Sequence, residues 1–206
     1  MGEAFLLPGP VGVLEALLEG NAGNLEKGPI GIVCHPNPLF GGNMTNKVVH
    51  MVAKAFNELG VPALRFNFRG VGESQGVHDH GQGEVEDLLA VVDWLRQRHP
   101  KASFWLAGFS FGAYVAFQAQ ARAKFDRLLL VAPPVSMYHF PEIEVDIPWL
   151  VIQGSADEVI DPKAVSAWAS QQLKTPEYCW MEGVSHFFHG KLVELRALIR
   201  DAWGRK

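Results

Sequence analysis

Continuous apolar runs, each ending on glycine, proline or a polar turn, alternate along the chain with stretches whose apolar residues keep helical spacing. Residues 29–34, 63–68, 102–109, 128–133, 149–154 and 178–182 form such runs, the pattern of strands covered on both faces. Between them, Val48, Val49, Val52, Ala55, Phe56 and Leu59 make one helical stripe closed by Gly60. Val85, Leu88, Leu89, Val92 and Leu95 make another, with Glu84, Glu86 and Asp87 in its first turn and Arg96 and Arg98 in its last, as the helix dipole favours. Pro162 opens a helix expected over 162–173, and Leu192, Leu195, Ile199 and Trp203 stripe a terminal one. Residues 11–19 read as an opening edge strand or pair of strands, followed by a turn at 20–24. Strands alternating with helices predict an α/β fold: a doubly wound, mainly parallel sheet flanked by helices in a single domain over 1–206. The segment 134–148 is too short for a helical cap domain, so an open site is expected.

One junction between strand and helix carries chemistry. The run 102–107 leads through Gly108-Phe109-Ser110-Phe111-Gly112 directly into an alanine-rich helix. A serine hydroxyl becomes a useful nucleophile only on a rigid turn, beside a base and near backbone N–H donors. The five letters alone are a weak signal, but a strand before them and a helix after them is the setting the motif requires. Phe111 then offers an N–H at the positive end of the helix, where a developing oxyanion is stabilised.

Ligands of a parallel sheet meet the carboxyl ends of its strands, so the polar groups just after each strand are the candidates. Asp157 follows the run 149–154 and His186 follows the run 178–182, placing both on short turns at the edge that carries Ser110. A histidine there takes the hydroxyl proton, and the aspartate fixes its tautomer and steadies its charge. Glu158 and Asp161 compete with Asp157, although Asp161 fits better as the cap of the helix opened by Pro162, and His189 competes with His186. After the strand 29–34 comes His35-Pro36-Asn37-Pro38. Because prolines have no N–H, Asn37 is the first backbone donor there and the candidate second oxyanion donor, unless the segment is simply a rigid turn. Phe40, Met44, Met137, Tyr138 and Phe187, with Phe140 and Phe188, are placed either as apolar walls of a substrate cleft or as packing at strand ends.

Other features narrow the classes. Hydrophobic residues make up 48% of the 206 residues, enough for a full core, and the net charge of −4 favours neither nucleic acid nor an anionic membrane as a partner. A small molecule is therefore the expected partner, and a cytoplasmic protein is expected from the absence of a basic, long apolar start. Cys34 and Cys179 both lie in strand-like runs, which predicts reduced buried thiols. The pair His78 and His80 lacks further ligands at readable spacing, and G-x-G-x-x-x-G at 70–76 does not lead into a helix, so no metal and no cofactor are expected.

GFSFG at 108–112, GSADEV at 154–159, GVSHFF at 183–188 and FRGVGES at 68–74 together resemble the α/β-hydrolase family over nearly the whole chain. HPNPLFGGNMTNKVV at 35–49 is similar to a subgroup of small, lidless bacterial serine hydrolases near the dienelactone hydrolases. The resemblance implies Ser110 as nucleophile, His186 as base, Asp157 as its orienting acid, and Phe111 and Asn37 as oxyanion donors. The implied activity is cleavage of an ester or thioester of small to medium acyl size through an acyl-serine. An acyltransferase, perhydrolase or amidase using the same triad, or an idle hydrolase-fold binding protein, are the alternatives. Serine replaces the cysteine of dienelactone hydrolase proper, and HPNP stands where many esterases carry an HGGG loop.

Overall fold

The computed structural model describes residues 2, 4–21, 23, 25 and 28–204. Among them, eight strands form one sheet in the order β1-β2-β4-β3-β5-β6-β7-β8. The strands are β1 (Ala4–Gly9), β2 (Gly12–Glu19), β3 (Pro29–Cys34), β4 (Ala63–Phe66), β5 (Ser103–Phe109), β6 (Arg127–Val131), β7 (Trp149–Gly154) and β8 (Glu177–Met181). From β4 to β8 every pairing is parallel, while β1 and β2 form an antiparallel hairpin joined to β4. The opening pair therefore begins earlier than residue 11. The expected turn at 20–24 lies partly outside the described residues.

Because successive side chains of a strand point to opposite faces, each parallel strand must satisfy two cores at once. Ile32, Leu64, Leu106, Leu128, Leu130 and Val151 face one core, which helices α2 (Gln82–Arg98), α3 (Phe111–Ala119) and α4 (Pro162–Ser170) cover. Val33, Ala63, Ala107, Leu129, Leu150 and Ile152 face the other, under α1 (Lys47–Glu58) and α5 (Leu192–Trp203). Two-faced burial is why these strands read as unbroken apolar runs. The α4 helix ends at Ser170, three residues short of the expected 173. Asn46 caps α1 by accepting from the N–H groups of Val48 and Val49, and Asp161 caps α4 by accepting from Lys163.

No helix among the described residues is long and apolar enough to cross a membrane. Cys34 is buried and Cys179 half-buried, and neither is in a disulfide. Burial pushes the Cys34 thiol well above its ordinary range. Residues 134–148, between β6 and β7, hold neither helix nor strand, so this segment forms no helical cap over the carboxyl edge of the sheet.

Candidate active site

Ser110 stands between β5 and α3 with φ 53° and ψ −122°, a conformation that costs a non-glycine residue on the order of 1–3 kcal/mol. The surrounding packing holds it there. Its N–H donates to the Val131 carbonyl, and its carbonyl accepts from the N–H groups of Ala113 and Tyr114. A Cβ at Gly108 would lie 2.1 Å from the Gly112 carbonyl oxygen, and one at Gly112 would lie 2.4 Å from that of Cys34. Both glycines are required by backbone approaching backbone.

The turn after β8 brings His186 to the serine. Its Nε2 lies 3.2 Å from Ser110 Oγ, and its Nδ1 lies 2.8 Å from Asp157 Oδ2. His186 is 3% exposed and Asp157 is buried beside it, while Ser110 is half-buried at the cleft. Burial alone would push the Asp157 carboxyl up. Donation from His186 and from the N–H groups of Ile160 and Val159 outweighs that and holds it below the usual carboxylate range. The ionised aspartate therefore selects the tautomer with hydrogen on Nδ1, which leaves Nε2 free to accept the serine proton.

One neighbour that the sequence did not single out, Gln153, and one that it weighed as a competitor, Glu158, complete the line from Ser110 to Asp157. Gln153, the last side chain of β7, donates from Nε2 to Asp157 Oδ2 at 2.9 Å. Glu158 accepts the His186 backbone N–H at 3.1 Å, so it anchors the histidine turn and does not compete for the imidazole. The signal for Gln153 was an amide inside an otherwise apolar, fully buried strand. His189 is exposed and touches the Phe187 ring, with centroids 6.0 Å apart, and does not line the cleft at Ser110.

The serine opens on a cleft of about 350 Å³. Its lining comes from Pro36, Asn37, Phe40, Gly41, Gly42 and Asn46 after β3, from Phe111, from Pro134, Met137 and Tyr138 after β6, and from Val159 and Phe187. Phe40 is 83% exposed and Met137 57%. Of the apolar residues expected in the walls, Met44 is misplaced. It is buried beside the cleft, because Asn67 Oδ1 accepts its N–H at 2.8 Å and Arg65 donates to its carbonyl at 2.6 Å. Phe140 packs against Tyr114, Phe117 and Trp168, and Phe188 is in the core, so neither lines the cleft.

Phe111 takes the first position of α3, where an N–H has no intrahelical acceptor. Across the cleft, the Asn37 side chain organises its own loop. Its Oδ1 accepts from Leu39 N–H at 2.9 Å and its Nδ2 donates to the Tyr138 hydroxyl at 3.0 Å. The Asn37 backbone N–H has no acceptor among the described residues. Beneath it lies His35, wholly buried, with Nδ1 2.7 Å from the Pro36 carbonyl and Nε2 accepting from Phe68 N–H at 3.0 Å.

Burial lowers the His35 imidazole to about 4, against a smaller upward push from the Pro36 carbonyl. The unfolded chain binds this proton first, near pH 6.5. The contribution is therefore complete above about pH 6.5 and is lost as pH falls toward 4, by up to ~3 kcal/mol. Urea midpoints measured from pH 7 to 4 should fall more steeply in the wild type than in His35→Asn. Parallel curves would show that the imidazole is not the group responsible.

Among the described residues, no group of three His, Cys, Asp or Glu is arranged to hold a metal ion. His78 lies with Nδ1 2.8 Å from the buried Glu84 carboxylate.

The family model described as serine aminopeptidase, S33, matches residues 39–143, a span that includes Ser110 and stops short of Asp157 and His186. An uncharacterized protein of Rickettsia prowazekii is 41% identical over 186 residues, covering 84% of this chain and 77% of that one. The structure of an α/β serine hydrolase homologue from Coxiella burnetii superposes with a TM-score of 0.93 at 48% identity, covering 98% of this chain and 97% of that chain. A Xanthomonas campestris α/β serine hydrolase without a lid gives a TM-score of 0.94 at 44% identity, covering 99% and 94%. Taken with the strand order and the open carboxyl edge of the sheet, these likenesses make the chain a member of the lidless α/β serine hydrolases.

Proposed function

We propose that this hydrolase cleaves carboxylic esters or thioesters of small to medium acyl size through an acyl group carried on Ser110. The observation that carries the reading is the line from Ser110 through His186 to Asp157 at the floor of an apolar cleft. As Ser110 Oγ bonds to the substrate carbonyl carbon, His186 Nε2 takes its proton. The carbonyl oxygen becomes an oxyanion facing the N–H groups of Phe111 and Asn37. The bond to the leaving oxygen or sulfur then breaks, and His186 returns the proton to that atom. A water molecule repeats the sequence on the acyl-serine, giving the acid and restoring the hydroxyl.

A volume of about 350 Å³ stands at the small end of small-molecule sites and supports a short or medium acyl group. The family's aminopeptidase description gives peptides as a second reading. A free amino terminus needs a carboxylate to receive its ammonium, and none of the residues lining the cleft is acidic. That favours the ester. The test is a panel of p-nitrophenyl acetate, butyrate and decanoate, acyl-CoA thioesters and aminoacyl-p-nitroanilides. Acetate or butyrate is expected to be turned over faster than the anilides, and the reverse order would replace the ester reading by a peptidase.

A further inference from the structure

We propose that His35 is a positioning residue for the oxyanion hole, holding the peptide between Pro36 and Asn37 with its N–H turned into the cleft. The inference rests on the proposed role of Asn37 as a donor, and it goes further by saying what fixes that donor. In a trans peptide the C=O and N–H point in opposite directions, and no cis peptide occurs among the described residues. Whatever holds the Pro36 carbonyl on one side therefore aims the Asn37 N–H toward the other. The group that holds it is the His35 ring, 2.7 Å away at Nδ1.

The tautomer follows from the second contact. Phe68 N–H is a donor, so Nε2, 3.0 Å from it, must be bare and accept. The single ring hydrogen then sits on Nδ1 and points at the Pro36 carbonyl. Phe68 packs its own ring on the imidazole, with centroids 4.6 Å apart and planes tilted by 56°, and the histidine has no exposed surface. One side chain thus ties the loop after β3 to the chain after β4. Were the peptide to flip, a carbonyl oxygen would face the developing oxyanion and a donor would be exchanged for a repulsion. Pro36 fixes its own φ and Pro38 restricts the backbone of Asn37, but neither bonds the Pro36 carbonyl, which the His35 ring does.

Two isosteres separate the contacts. In His35→Asn the side-chain nitrogen stands near the place of Nδ1 and keeps the Pro36 bond. In His35→Gln the amide reaches the place of Nε2 and keeps only the Phe68 bond. Expected is a kcat within a few-fold of wild type for Asn, and one lower by about 10²- to 10³-fold for Gln, with KM unchanged. Affinity for a trifluoromethyl ketone, whose adduct carries the oxyanion, should fall by the same factor. If both variants lose kcat in step with thermal stability, the proposal fails. Should either not fold, ¹⁵N shifts of the wild-type imidazole decide: hydrogen on Nδ1 supports the proposal, and hydrogen on Nε2 overturns it. Turnover that persists in Ser110→Ala would instead remove the underlying acyl-serine reading, so the two failures are distinct.

Discussion

Ser110→Ala is expected to lower kcat on the order of 10⁶-fold while leaving substrate binding and stability close to wild type. The substitution removes the atom proposed to carry the acyl group, yet the proposed donors of Phe111 and Asn37 and the apolar cleft remain. A residual rate of about 10³- to 10⁴-fold over water is therefore expected, and not complete silence. The Ala side chain fits the space of the serine, and relief of the strained φ depends only on the backbone, so the fold should not register the change. Asp157→Asn should cost about 10⁴-fold, because an amide at that place stabilises the wrong imidazole tautomer. It should also loosen the turn, since the carboxylate receives the N–H groups of Val159 and Ile160 as well as Gln153 Nε2. Steady-state rates on p-nitrophenyl butyrate, with fluorophosphonate labelling to count competent serines, measure both. An Ala variant that keeps a tenth of the activity would mean that another group carries the acyl.

The parts of this arrangement that were legible share one property: they are set by position relative to a strand end. Ser110 follows an apolar run directly, Asp157 and His186 lie on short turns just after one, and parallel strands deliver such residues to one edge. Asn37 was approachable for the same reason, through the absence of donors on its proline neighbours. What failed depended on partners distant along the chain. Met44 reads as a wall residue from its apolar side chain, and only Arg65 and Asn67, buried on β4 and just beyond it, pull its backbone inward. The contact between Asn37 and Tyr138 spans 101 positions and has no local trace. The strand β1 was hidden because it is short, half exposed and interrupted by Pro8, so its pairing with β2 outweighs a weak propensity. Polar residues within or bordering apolar runs, His35, Arg65, Asn67 and Gln153, were the available signal, since a buried polar group persists only with a partner.

The same reasoning identifies the smallest change with a large expected effect, Gly112→Ala. The added Cβ would stand 2.4 Å from the Cys34 carbonyl oxygen and 2.6 Å from that of His35, and both are backbone atoms that no rotamer change can move aside. Those two carbonyls belong to the chain entering Pro36 and Asn37, while Gly112 follows Phe111. The methyl group is therefore a wedge between the two proposed oxyanion donors. Relief requires α3 to move away from the loop after β3, which lengthens the gap that both N–H groups must span to reach one oxygen. Overpacking of this kind costs about 1–3 kcal/mol, which a stable fold can absorb. The loss of one donor costs about 10²- to 10³-fold in kcat, which activity cannot. Folded Gly112→Ala should thus show a modest fall in urea midpoint, a large fall in kcat and little change in KM. Equal proportional losses in folded fraction and activity would mean that the glycine serves packing alone.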